Sequence, residues 1–227
     1  MKTQPHLDEL GRLVGDPSRA AMLTALMDGR AWTGRELAVY AHITPSTASS
    51  HLGRLVRGSL VSAIAQGRHC YYRIATPAIA QALESLMVLA PVAAARHPAQ
   101  RRIADDLAAA RLCYDHLAGK LGVAIAESLV ARSAIAITDA TGIVTTEGHK
   151  LFARIGVSVQ APKSKALCRP CLDWSERRPH LAGAVGAALC AHSLGEGWVR
   201  RIRDTRAVAI TPKGQRMFRE VFGVEVG

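Results

Sequence analysis

ELAVYAHITPSTASSHLGRLVRGSLV, from Glu36 to Val61, decides how the first ninety or so residues fold. Glu36, Leu37 and Ala38 belong to one short helix, and Ala41-His42-Ile43 make a turn. Thr44 is a cap, a hydroxyl placed just before Pro45, whose fixed φ suits the first helical position. From there Ala48, Leu52, Leu55 and Val56 recur at i, i+4, i+7 and i+8, the spacing of a helix with one buried face. Ser46, Thr47, Ser49, Ser50 and Arg54 remain for the other face. Short hydroxyl side chains let a helix approach base edges, and Arg grips phosphate or guanine. Two helices joined this way form a helix-turn-helix, whose second helix offers its first residues to a groove. Thr44, Ser46, Thr47, Ser49, Ser50 and Arg54 are therefore the expected DNA contacts. His51, beside Leu52, is expected to pack.

The flanks agree. Leu7 to Gly29 reads as helix, with Leu10, Leu13 and Val14 on one face and Asp16-Pro17 as an internal cap. Arg35 to Tyr40 is a short helix. After Gly58 the period changes: Val61, Ile64 and the run His69 to Ile74 read as two strands joined by Gln66-Gly67-Arg68. Gln66 and Arg68, at that tip, are expected to reach phosphate or the minor groove. Thr76-Pro77 then opens a helix toward Ala90.

This assembly resembles the ArsR family of winged-helix regulators, in which Ser/Thr-x-x-Thr-x-Ser-x-His-Leu marks the recognition helix. Thr44, Thr47, Ser49, His51 and Leu52 match it, and PSRAAMLTAL, RGSLV and the tyrosine-bearing hairpin agree, over roughly Asp8 to Ala90. The resemblance implies a homodimer paired through its flanking helices, a double-stranded DNA operator as partner, and repression relieved by a signal. One feature departs from it. Many metal-sensing members carry a cysteine pair in the helix before the helix-turn-helix, whereas this chain has Trp32-Thr33-Gly34-Arg35 there and no Cys before Cys70.

Pro91 and Pro98 bracket a boundary, giving a DNA-binding domain over 1–91 and a second domain over 98–227. A helix is expected from about Gln100 to His116. The second domain repeats itself: HLAGKLGVAIA from His116 returns as HLAGAVGAALC from His180, and TTEGHKLF from Thr145 returns as TPKGQRMF from Thr211. Each copy, about 100–158 and 168–227, reads as helix, hairpin and Thr-capped helix. The strands fall at Ile135 to Thr138 and Ile143 to Thr145, then Gly197 to Arg201 and Val208 to Ile210. The expected fold class is mostly α with small β-hairpins (α+β), an N-terminal winged helix-turn-helix followed by two tandem winged-helix-like repeats.

The cysteines leave three readings open. Cys168 and Cys171 form a C-x-x-C pair that could close as a thiol switch, with Arg169 nearby to favour the thiolate. Cys113, His116, Cys171 and His180 could make a thiolate–imidazole metal site, for which zinc is the suited ion. Alternatively the cysteines are only structural, which ranks first, ahead of the switch and then the metal. Cys70 and Cys190 read as buried fillers. Arg177 and Arg178 are expected to pair with carboxylates rather than bind an anionic effector.

Bulk properties bound the function. The formal net charge of +11 in 227 residues suits a phosphate-bearing partner. No run reaches the roughly 18 apolar residues of a membrane span, and the first residues lack a basic-then-apolar signal pattern, so a cytoplasmic location is expected. Gly-rich phosphate loops, a nucleophile elbow and H-E-x-x-H are all missing, which argues against an enzyme. The expected function is a sequence-specific DNA-binding regulator, a homodimeric repressor released by a signal in its C-terminal half, with thiol oxidation favoured over metal and the effector unnamed. The alternatives are a protein-binding adaptor, or a regulator of a small-molecule response with structural cysteines.

Overall fold

Asp16 ends one helix and starts the next: its side chain accepts the Arg19 backbone N–H while Pro17 occupies the first turn, so α1 (Leu7–Val14) gives way to α2 (Pro17–Leu26). The computed structural model describes residues 7–66, 69–91, 105–138, 141–159 and 167–225. Arg19 is buried and binds neighbouring elements together, donating to the carbonyls of Arg12 and Leu13 and lying 3.0 Å from His51 Nδ1. His51 thus packs, as expected. β1 (Trp32–Thr33) leads into α3 (Gly34–Tyr40), which begins with a reciprocal capping box between Thr33 and Glu36. His42, at φ 55°, turns the chain into α4 (Pro45–Arg57), which buries Ala48, Leu52 and Leu55. β2 (Val61–Gln66) and β3 (His69–Ile74) follow, and β1 adds to them in the order β1-β3-β2, pairing Trp32 with Tyr72. That third strand is too short to carry a sequence pattern. With α5 (Pro77–Leu89) the element order is that of a winged helix-turn-helix.

Two compact units divide the described chain. The first ends at Leu83; the second takes Glu84–Pro91 and residues 105–225, so α5 contributes to both. No described helix is long and apolar enough to cross a membrane.

In the second unit the expected helix to His116 is corrected. Helix α6, described over residues 105–109, stops, and β4 (Arg111–Cys113) pairs antiparallel with β5 (His116–Ala118). Tyr114, at φ 60°, makes the turn between them, a conformation no α-helix accommodates. His-Leu-Ala is therefore strand, and the helix begins one residue later as α7 (Gly119–Ala131). β6 (Ile135–Ile137), β7 (Gly142–Val144) and α8 (Thr146–Arg154) complete the series. The same order then recurs: β8 (Arg169–Leu172), β9 (Pro179–Ala182), α9 (Gly183–Gly195), β10 (Val199–Arg201), β11 (Val208–Ile210) and α10 (Pro212–Phe222). Thr145 and Thr211 cap α8 and α10 by accepting the N–H groups of Gly148 and Gly214. The hairpins β4–β5 and β8–β9 were not expected.

Those two hairpins cross over. β5 packs against α9, and β9 packs against α7. Two glycines allow it. A Cβ on Gly122 would stand 2.4 Å from the Leu117 carbonyl and 3.4 Å from His180 Cβ; one on Gly186 would stand 2.1 Å from the Leu181 carbonyl and 3.1 Å from His116 Cβ. One apolar core results, in which Leu121, Ile125 and Phe152 meet Val185, Trp198 and Phe218.

An ion pair lies within this unit with both side chains essentially inaccessible. Arg111 Nη2 donates to Asp173 Oδ1 at 2.8 Å, and Arg111 Nη1 donates to the Leu107 carbonyl at 2.9 Å. The guanidinium lies 4.6 Å over the Trp174 ring. Asp173 also accepts from the Gly119 N–H at 2.7 Å and the Ser175 N–H at 2.9 Å, and its Oδ2 is 3.0 Å from His180 Nδ1. Burial alone would raise the Asp173 pKa, but His180, Arg111 and the Gly119 N–H outweigh it and hold the carboxyl well below the usual carboxylate range.

Two outcomes follow. Asp173→Asn should cost roughly 3–5 kcal/mol at neutral pH, because it strands a buried guanidinium. A carboxyl whose folded pKa is depressed stabilises above its unfolded pKa, near 4, and that contribution fades as pH falls below it. The difference in melting temperature between parent and variant should therefore hold from pH 7 to about pH 5 and shrink from about pH 4 to pH 2, the parent falling more steeply there; equal slopes in that range would refute the assignment. Gly186→Ala should lower stability by about 1–3 kcal/mol in urea unfolding, since the obstructing atom is backbone.

Candidate functional site

The α4 surface carries its residues as the sequence suggests. Ser46, Thr47, Ser49, Ser50 and Arg54 are exposed, opposite buried Ala48, Leu52 and Leu55. Thr44 is exposed too, but its oxygen is committed: it caps the Thr47 N–H and lies 3.0 Å from Ser46 Oγ and 2.9 Å from Thr47 Oγ1. Its first role is therefore to start the helix. Arg57, exposed in the last turn, adds a second guanidinium that the sequence reading passed over. Gln66 is exposed at the end of β2, opposite His69. Arg68 lies outside the described residues.

The second site lies where the two crossing hairpins meet. In β4–β5, Cys113 is the cross-strand partner of His116; in β8–β9, Cys171 is the cross-strand partner of His180. Each hairpin thus supplies one sulfur and one imidazole. The four ligand atoms lie within 4.8 Å of one another, and Cys113, His116 and His180 are buried. The two Nε2 atoms are 3.1 Å apart. Each Nδ1 faces a carboxylate, His116 with Asp115 at 3.1 Å and His180 with Asp173 at 3.0 Å. A carboxylate on Nδ1 keeps the proton there and leaves the Nε2 lone pair for a ligand. Donor atoms on a tetrahedral zinc stand about 3.3 to 3.8 Å apart by the usual bond lengths, so the widest separations must close by up to about 1 Å while the Nε2 pair opens slightly.

The thiols are coupled. The neighbouring Cys171 sulfur, together with burial, pushes Cys113 up to about 12, and the proximity of Cys113 lowers Cys171. Burial pulls His180 down, but Asp173 and Cys113 prevail and raise it. Glu84 completes the surroundings, accepting the Cys113 thiol at 3.3 Å and the Arg206 guanidinium at 2.9 Å. Glu84 escaped the sequence reading, since it lies on α5, away from the ligand-bearing strands, and belongs to no motif.

The expected Cys168–Cys171 pair is not brought together. The chain is extended there, and three residues along a strand put the side chains on opposite faces with roughly 10 Å between Cα atoms. A disulfide reaches about 7 Å at most. Cys168 instead packs in the core, where burial pushes its thiol up to about 11. Cys190 is buried as expected, whereas Cys70 is exposed, because that end of β3 is exposed. Arg178 pairs with Glu127 at 2.7 Å, and Arg177 donates to the carbonyls of Val88 and Ala90.

No family model matches the chain. It is 41% identical, over 98% of its own length and 99% of the relative's, to YdfF of Bacillus subtilis (strain 168), described as an uncharacterized HTH-type transcriptional regulator. It is 40% identical over 81 residues to the HTH-type transcriptional regulator CmtR of Mycobacterium tuberculosis (strain ATCC 25618 / H37Rv), a match spanning 36% of this chain and 68% of CmtR. Among solved structures, the NMR structure of the cadmium metal-sensor CmtR from Mycobacterium tuberculosis aligns at 37% identity over 40% of this chain and 94% of that one, with a TM-score of 0.32. The chain belongs to the HTH-type transcriptional regulators, with an ArsR- and CmtR-like winged helix-turn-helix in its N-terminal part.

Proposed function

We propose that the protein is a homodimeric, operator-binding repressor whose C-terminal unit receives its signal as a divalent metal ion of the zinc class. The observation that carries the metal is the convergence of Cys113, His116, Cys171 and His180 from two hairpins, ligand atoms within 4.8 Å. A mixed thiolate–imidazole set suits zinc and its softer neighbours over magnesium or calcium. The thiol-oxidation reading transfers from Cys168–Cys171 to Cys113–Cys171 and ranks second, supported by the two sulfurs lying within 4.8 Å of each other. The five cysteines are free, the state that a reducing cytosol maintains.

Dimerisation is proposed through the flanking helices. α1 buries none of its residues, and Leu7 and Leu10 are 75% and 37% exposed; Leu86 and Leu89 of α5 are exposed as well. An apolar helix face without cover costs free energy that a second copy recovers. Two α4 helices would then enter successive major grooves about 34 Å apart. The C-terminal unit is read as a tandem duplication of winged-helix-like repeats, supported by the repeated element order and the matching Thr caps. Regulation, not catalysis, is the activity assigned.

The test uses fluorescence anisotropy with DNA from upstream of the protein's own gene. Tight binding should weaken with salt, and Arg54→Ala should lower both affinity and salt slope; an unaltered slope removes Arg54 from the interface. Chelator competition should find one zinc per chain, lost in Cys171→Ser and His116→Ala. No zinc bound, or zinc retained by both variants, would refute the metal site. Zinc loading should reduce operator affinity roughly 5- to 150-fold. Partner capture without any operator binding would favour the adaptor alternative.

A further inference from the structure

Glu84 belongs to neither ligand-bearing hairpin, yet it is 8% exposed and bonded to one of the ligands. Its Oε2 accepts the Cys113 thiol at 3.3 Å, and its Oε1 accepts Arg206 Nη1 at 2.9 Å. Arg206 is itself fixed to the β4 strand, because its carbonyl accepts the Leu112 N–H at 2.8 Å. Glu84 sits on α5, which starts at Pro77 in the first unit and passes into the second at Glu84. The carboxylate is therefore the point where that helix takes hold of the cluster.

We propose that Glu84 is the positioning residue that transmits occupancy of the Cys113–His116–Cys171–His180 cluster to α5, and so to operator binding; this rests on the metal reading above. Without an ion, the Cys113 thiol donates to Glu84 Oε2 at 3.3 Å. Coordination requires the thiolate, so a metal–sulfur bond forms and the thiol proton leaves to solvent. Sγ then has no hydrogen to share. Two atoms bearing lone pairs face each other at the former hydrogen-bond distance, and a buried carboxylate oxygen is left without its partner. The conflict is relieved when the last turns of α5 draw back from the cluster. No oxidant or co-reactant is needed, only the ion.

The experiment uses the full-length protein, zinc as the probe, and the variant Glu84→Gln. That amide keeps the size of the side chain and its N–H can donate to a thiolate, so the loaded state no longer strands an acceptor. Chelator competition should still find one zinc per chain in the variant, with an affinity changed by no more than the roughly 10- to 100-fold that altering a ligand's hydrogen-bond partner brings, so that excess zinc loads both proteins fully. The variant's operator affinity should change less than about twofold on zinc loading, against roughly 5- to 150-fold for the parent. A second measurement needs no variant: amide hydrogen exchange over residues 84–89 of the parent protein should speed up when zinc binds. A zinc response in the variant equal to the parent's, or unchanged exchange over 84–89, overturns the link and leaves the metal site standing. A parent protein that binds no zinc overturns the metal site and the link together.

Discussion

The second unit depends on one buried pair, Arg111 with Asp173. Removing both charges from water is costly, and attraction repays the cost only when the remaining lone pairs and N–H groups are also satisfied. Asp173 meets that condition by accepting from the first backbone N–H of α7, from Ser175 and from Arg111, while facing His180. One carboxylate thereby joins the hairpin of one copy to the helix of the other and aims an imidazole at the cluster. The cluster's geometry is a by-product of how the fold holds its only fully buried guanidinium among the described residues.

The two functional surfaces follow opposite physical rules. On α4 the useful side chains are short, hydroxylic and exposed, held in place by a helix whose other face is core. In the cluster the useful side chains are buried and their orientation comes from carboxylates behind them. Desolvation sharpens the second set, because buried imidazole and thiol groups shielded from water gain much from binding an ion. α5 is the element common to both units.

The sequence made α4 legible because thirteen residues of clean periodicity separate faces, and Thr44-Pro45 marks the start. The Thr caps of α8 and α10 were legible for the same local reason. The four ligand residues were legible as residue types with suggestive spacing. What the sequence could not convey was which cysteine faces which. Strands of three or four residues, such as β4 and β8, show no alternation to read, so Cys168 and Cys171 looked like neighbours when the strand sends them apart. Cys70 was misjudged because a wing has no buried face at its tip. Glu84 was invisible, since its partners lie 29 and 122 residues away.

The exchange of hairpins between the two copies bears on how the chain acquires its structure in time. α7 is made early, yet the strand that covers it, β9, follows some fifty residues later, and β5 must wait for α9. Closing such long loops spends chain entropy before any contact repays it, and topologies of this kind fold slowly. At the ribosome, α7 emerges with Leu121, Ile125 and Leu129 uncovered and stays so until translation has passed Ala182. During that interval the apolar stripe is open to chaperones and to neighbouring nascent chains, a vulnerability that an uncrossed arrangement of the same elements would avoid.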